Sequence, residues 1–218
     1  MCVIFDMDGV IFDSENACLK CWKITADKYN LDNIEEVFYK CIGTNNAQTD
    51  EIIESAYSEK LGNGISKKFR EENSFLFHEL YDNGNLPIKP GVVELLDYLK
   101  SREMPVGIAS STRKTTVIKE LTDAGLIKYF DKIVGGDSVK NSKPNPEIYL
   151  LACKEMDVQP SLAYAIEDSY NGIRAAYSAG MHPIMVPDII APNDEMKKLS
   201  EAIFDDLLEV KKYFMEKY

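Results

Sequence analysis

The chain is 218 residues long, 45% hydrophobic and 28% charged, with a formal net charge of -11, which suits one large globular domain or a core with a smaller companion. That acid surplus excludes nucleic acid and anionic membrane surfaces as expected partners, since both require Lys and Arg. No apolar stretch approaches the length of a membrane span, and a charged motif beginning at residue 6 leaves no room for a signal peptide, so a cytoplasmic protein is expected.

The chain opens on an unbroken apolar run, Cys2 to Phe5, which reads as a strand buried on both faces. It stops at Asp6-Met7-Asp8-Gly9. Two carboxylates at i and i+2 would stand side by side past the carboxyl edge of a sheet, where open α/β folds bind ligands. Such a pair repels itself unless a hard cation compensates, and Mg²⁺ is the expected cofactor. A lone Asp-x-Asp-Gly is also an ordinary turn. The longer order, through Val10-Ile11-Phe12-Asp13-Ser14-Glu15, carries the functional signal.

After Ser14 the period becomes helical, with Ala17, Cys18, Cys21, Trp22, Thr25 and Tyr29 on one face, ending near Asn30. Cys18 and Cys21 form a C-x-x-C. With no second Cys or His pair nearby they read as reduced packing residues, like the other three cysteines. Asp32 with Glu35 predicts a capping box for a second helix through Val37, Phe38 and Cys41. A break at 43–46 precedes a third helix carrying Ile52, Ile53, Ala56 and Tyr57. Ser66 is expected to cap a fourth, with Phe69, Leu76, Phe77, Leu80 and Tyr81 on its face. Four helices with no strand between them predict an all-α unit, residues 15–84, inserted into an α/β core formed by 1–14 and 85–218. The turn-rich stretch from Asp82 to Gly91 is the return linker, and two crossings make a hinge.

From Gly91 strands and helices alternate, the pattern of a doubly wound parallel sheet. A helix from Val92 to Lys100 leads to a strand, Val106 to Ala109, ending at Ser110-Ser111-Thr112. A helix through Val117, Ile118, Leu121 and Ala124 stops at Gly125, and a strand follows from Lys132 to Val134. Lys143-Pro144-Asn145-Pro146 opens a helix through Ile148, Leu151 and Cys153. The strand Ala163 to Ile166 ends at Glu167-Asp168-Ser169, and a helix runs from Asn171 to Ala179. Ile184 to Val186 and Ala202 to Phe204 are further strands, and Leu207 to Tyr218 is a closing helix. Singly, Ser110 to Thr112, Asn145-Pro146 and Asp168 or Ser169 are each explained as helix caps. Together they end strands or follow them, and parallel topology gathers them on the edge that carries Asp6 and Asp8.

Asp6-Met7-Asp8-Gly9 with Asp13-Ser14-Glu15, then Ser110, Lys143-Pro144 and Glu167-Asp168-Ser169, resembles the four motifs of the haloacid dehalogenase-like phosphotransferases, in order and after strands. The helical insertion resembles the four-helix cap of that family. Lys140 to Tyr149 and Glu167 to Gly180 are especially similar to phosphatases of its β-phosphoglucomutase-like branch. The resemblance implies an enzyme acting on a small phosphorylated metabolite, a sugar phosphate by analogy, with a monomer as the default state.

Phosphoryl transfer is mainly positioning and charge neutralisation. Asp6, ending a rigid strand, is expected to be the nucleophile that becomes an aspartyl-phosphate, and Asp8, on the turn, the general acid and base. Mg²⁺ is expected on the Asp6 carboxylate, the main-chain carbonyl of Asp8 and the Asp168 carboxylate, with Glu167 helping directly or through water. Ser110 and the amide of Ser111 would donate hydrogen bonds to the phosphoryl group, and Lys143 would neutralise both nucleophile and phosphate.

In the loop Gly43-Thr44-Asn45-Asn46-Ala47-Gln48, Asn46 is the candidate substrate contact. β-Phosphoglucomutases grip a second phosphate with an arginine in this loop and carry a histidine where Cys18 stands. This chain has neither, which favours hydrolysis over mutase transfer. Dehalogenases of the superfamily use one aspartate and no metal, and Asp8 speaks against them. A non-catalytic phosphometabolite-binding module would be expected to have lost Asp6, Asp8 or Lys143.

Overall fold

The computed structural model describes residues 1–42, 44 and 46–218. Among these, six strands form one parallel sheet: β1 (Cys2–Phe5), β2 (Val106–Ala109), β3 (Lys132–Val134), β4 (Ala163–Glu167), β5 (His182–Met185) and β6 (Ala202–Ile203), in the order β3-β2-β1-β4-β5-β6. The strand order reverses beside β1, the position at which open α/β sheets bind ligands.

Every residue of β1 is buried, because successive side chains point to opposite faces and both faces are covered. Val3 and Phe5 pack with α5 (Val92–Ser101) and α10 (Leu207–Lys217), against Leu95, Leu99 and Phe214. Cys2 and Ile4 pack on the other face with α7 (Glu147–Glu155) and α8 (Tyr170–Ser178), against Tyr149, Ala152 and Ala176. Register fixes the functional edge. Phe5 pairs with Ile108 on one side and Ile166 on the other, so Asp6 emerges level with the ends of β2 and β4.

Four helices follow β1 without an intervening strand: α1 (Ser14–Tyr29), α2 (Ile34–Cys41), α3 (Asn46–Leu61) and α4 (Ile65–Tyr81). They bury a core of their own around Trp22, whose ring meets Phe38 and Phe69 edge-on at 5.1 Å each. Asn30 ends α1 in the left-handed region, as a short polar side chain tolerates.

Two expected caps are replaced by partners distant in sequence. The Asp32–Glu35 capping box does not form. Asn33 precedes α2 at φ 58 with no side-chain cap, and Glu35 instead pairs with Lys23 of α1. Ser66 does not cap α4, which begins one residue earlier with Ser66 buried. The carboxylate of Glu54, on α3, accepts the amides of Gly64 and Ser66 at 3.1 and 3.0 Å. The expected break at 43–46 includes Gly43 and Asn45, which lie outside the described residues.

The two crossings between this helical unit and the sheet are bonded to each other. Asp13 N donates to the Pro87 carbonyl at 2.8 Å, Lys89 N to the Ile11 carbonyl at 2.9 Å, and Phe12 and Ile88 form an antiparallel bridge. The Lys89 side chain pairs with Asp188, in the loop after β5, and the next residue, Ile189, packs against the helical core. The remaining helices are α6 (Lys114–Asp123) and the six-residue α9 (Asp194–Leu199), whose Asn193 cap was not anticipated. Asn145 accepts from Glu147 N at 3.0 Å and so serves the start of α7.

Phe69 is fully buried where α1, α2 and α4 meet. Phe69→Ala is expected to destabilise the protein by about 3–5 kcal/mol, read as a lowered midpoint in urea unfolding.

Candidate active site

The turn after β1 is shaped by Gly9, at φ +73, where a Cβ would run into the Asp168 carboxylate. Only glycine gives that conformation together with that close approach. Gly9 N bonds the Phe12 carbonyl at 2.9 Å and Ser14 Oγ at 3.2 Å, which holds Asp8 against the sheet edge.

Lys143 is the hub. Its Nζ donates to Asp6 Oδ1 at 2.6 Å, to Glu167 Oε1 at 2.6 Å and to the Ala109 carbonyl at 3.0 Å, so all three ammonium protons have acceptors on three different strands. The Tyr149 ring lies 5.1 Å away. Glu167 is fully buried, and both of its oxygens are engaged. Oε1 also accepts from Tyr149 OH at 2.7 Å, while Oε2 accepts from Ser169 Oγ at 3.1 Å and Ser169 N at 3.4 Å. Gly172 leaves room for it, since a Cβ there would overlap the Glu167 carboxyl.

Thr112 joins the second motif to the first. Its hydroxyl donates to Asp8 Oδ2 at 2.9 Å and its amide to Ser110 Oγ at 3.0 Å. Ser110 is fully buried behind Ser111, which lines the cavity. Asp6, Glu167 and Asp168 each present a carboxylate oxygen within 4.8 Å of the others.

This crowding raises the acids. Burial, reinforced by Glu167 and Asp8, pushes the Asp6 carboxyl up to about 8 against the opposing pull of Lys143. Burial also lifts Asp168 well above the usual carboxylate range, with Glu167 and Asp6 adding to it. Glu15 is held up to about 7, first by burial and then by Asp8 and Asp188. Burial disfavours the Lys143 ammonium, but the two carboxylates outweigh it and keep the lysine charged. An all-oxygen donor set with more negative charge than one lysine balances suits a hard divalent cation.

The cavity over these groups has a volume of about 540 Å³. Asp6, Asp8, Ser111, Lys143 and Asp168 line it, together with Ile42 and Thr44 of the helical unit. The structure therefore brings together Asp6, Asp8, Ser111, Lys143 and Asp168, with Ser110 and Glu167 directly behind. Asn46 is not among them: it is exposed at the start of α3, away from the cavity lining. Glu15, Tyr149 and Arg174 line the cavity or support its residues without having been singled out, and Thr112, read as part of a cap, instead holds Asp8. Glu15 stood inside the first motif. The others carried no signal beyond their place on a helix or after a strand.

The family model described as haloacid dehalogenase-like hydrolase matches residues 3–186. A phosphorylated carbohydrates phosphatase of Thermotoga maritima is 36% identical over 92% of this chain and 90% of its own length. The beta-phosphoglucomutase of Bacillus subtilis is 30% identical over 84% of this chain and 82% of its own. The solved beta-phosphoglucomutase of Clostridium difficile superposes with a TM-score of 0.72 at 28% identity, covering 100% of this chain and 96% of that one. With this match over most of its length, and with the motif residues meeting at the sheet edge, the chain belongs to the haloacid dehalogenase-like hydrolases and is an enzyme of the phosphatase type within them.

Proposed function

We propose that the protein is a Mg²⁺-dependent phosphatase that hydrolyses small phosphorylated metabolites, sugar phosphates foremost, through a phosphoenzyme formed on Asp6. The observation that carries this reading is the clamp of Lys143 between Asp6 and Glu167, which holds one oxygen of Asp6 and leaves Oδ2 without a protein donor among the described residues.

Asp6 and Asp168, with the main-chain carbonyl of Asp8, would hold the ion. Glu167, whose oxygens are committed to Lys143, Tyr149 and Ser169, would support that seat from behind. When bound, the ion supplies charge neutralisation for the transferring phosphoryl group. Asp6 Oδ2 attacks phosphorus in line as the bond to the leaving oxygen breaks. Asp8, fixed through Oδ2 by Thr112, holds a proton at Oδ1 and passes it to the leaving oxygen. In the second half Asp8 takes a proton from water, the water oxygen bonds to phosphorus and the Asp6–phosphorus bond breaks. The Ser111 amide donates to the phosphoryl oxygens, and the Lys143 ammonium acts on them through its charge.

The similarity to a beta-phosphoglucomutase supports a second reading, intramolecular transfer between two positions of a sugar. The segment Gly43 to Gln48 contains no Lys or Arg, and its described cavity residue, Thr44, offers a hydroxyl. Hydrolysis is therefore the better-supported outcome. A purely binding role is disfavoured by the presence of Asp6, Asp8 and Lys143.

Asp6→Asn is expected to lower turnover of a sugar phosphate at least about a thousandfold with the fold intact by circular dichroism, and Lys143→Met about a hundredfold. Substantial activity in the first variant would remove Asp6 as nucleophile. Chelation with EDTA should abolish turnover and Mg²⁺ should restore it; turnover that persists in EDTA overturns the metal dependence. Inorganic phosphate should be the product, and efficient interconversion of β-glucose 1-phosphate and glucose 6-phosphate would favour the mutase.

Stability of the metal-free protein should fall as pH rises. Burial and Asp8 hold Glu15 and Glu120 up to about 7, with Asp188 adding at the first and Asp82 at the second. Lys119 and His78 pull Glu120 the other way, though less strongly. Both states keep the proton below an ordinary value of 4.5, and above it the unfolded chain ionises first. Melting temperature in EDTA should therefore decline between about pH 5 and pH 7.5, and Glu15→Gln should flatten the decline. A melting temperature that rises over that window contradicts the assignment.

A further inference from the structure

Beyond the catalytic floor the cavity continues along the first turns of α8, where Ser169, Tyr170, Asn171 and Arg174 line it, facing the apolar Ile189 and Ile190. Arg174 follows Tyr170 by one helical turn, roughly 6 Å along the axis. Two cations line this cavity among the described residues, Lys143 and Arg174. The three protons of Lys143 are committed to Asp6, Glu167 and Ala109. Arg174 is differently placed. Its Nε and Nη2 bond the two oxygens of Glu195 at 2.7 and 2.6 Å, and Nη1 bonds Asn171 Oδ1 at 3.1 Å. A guanidinium has five N–H donors, so two remain. The Asn171 amide gives its oxygen to Arg174, and its NH₂ has no protein acceptor among the described residues.

The result is a set of unspent donors, two N–H groups of the guanidinium and the NH₂ of Asn171, on the wall of a cavity whose floor is acidic. Such donors favour anionic oxygens over neutral hydroxyls, because a guanidinium makes its stronger, charge-assisted hydrogen bonds to a charged acceptor. Glu195, at 44% side-chain exposure on the first turn of α9, is the competing carboxylate that holds the guanidinium in place when the cavity is empty.

We propose that Arg174 and Asn171 form a subsite for a second anionic group, phosphoryl or carboxylate, carried by the part of the substrate that leaves. This rests on the phosphatase reading above and narrows its substrate class to metabolites with an acidic tail.

The test compares fructose 1,6-bisphosphate, 6-phosphogluconate and glucose 6-phosphate as substrates with phosphoryl, carboxylate and neutral tails. The wild-type protein should prefer an anionic tail, and whichever of the first two is preferred identifies the group. Arg174→Leu should reduce that preference about tenfold, through KM rather than kcat. Arg174→Lys should recover part of it, and Glu195→Gln should increase it by freeing the guanidinium. Calorimetric titration of the Asp6→Asn protein with fructose 1,6-bisphosphate should show the same dependence on Arg174 without turnover. A preference absent in the wild type, or unchanged in Arg174→Leu, overturns the subsite. Failure to hydrolyse any of these or p-nitrophenyl phosphate instead overturns the phosphatase reading, while the calorimetry still decides the subsite.

Discussion

One ammonium group serves three strands. Lys143 reaches the end of β1 at Asp6, the end of β2 at the Ala109 carbonyl and the end of β4 at Glu167, at distances of 2.6 to 3.0 Å. A buried charge is tolerated only when every donor is matched, and here each proton has its own acceptor. The arrangement also exceeds neutrality, because Asp8, Glu15 and Asp168 crowd the same edge. That excess suits the site to a divalent ion.

The support extends a layer further back. Tyr149 and Ser169 saturate Glu167, and Gly172 gives it space, so the carboxylate has no freedom to swing toward the cavity. Thr112 plays the same part for Asp8. Side chains are held precisely when their own hydrogen-bond partners are fixed, and here those partners are Tyr149 on α7 and, in the short turns after β2 and β4, Thr112 and Ser169.

Much of this was legible in the residues, for a physical reason. Strands of a parallel sheet covered on both faces are apolar throughout and end sharply, so Cys2 to Phe5 and Ala163 to Ile166 announced both the sheet and the acids that terminate them. The doubly wound topology then implied that separate motifs meet on one edge. What escaped depends on distant partners. Glu35 turns to Lys23 rather than capping α2, and Glu54 on α3 supplies the cap that Ser66 was expected to provide. Asn46 begins α3 and is exposed, a placement that composition does not reveal. Arg174 carried no signal in the sequence, and only the position of Asn171 and Glu195 around it marks it out.

The crossings near Phe12 and Ile88 have a mechanical meaning. Two independent cords would let the helical unit slide, twist and rock over the sheet. Stitched together by main-chain bonds on both sides of the Phe12–Ile88 bridge, they make a narrow ribbon, which flexes across its flat face and resists shear within its plane. The freedom left to the helices is then close to a single tilt, and that one angle sets how near Ile42 and Thr44 come to Asp6 and how much water reaches it.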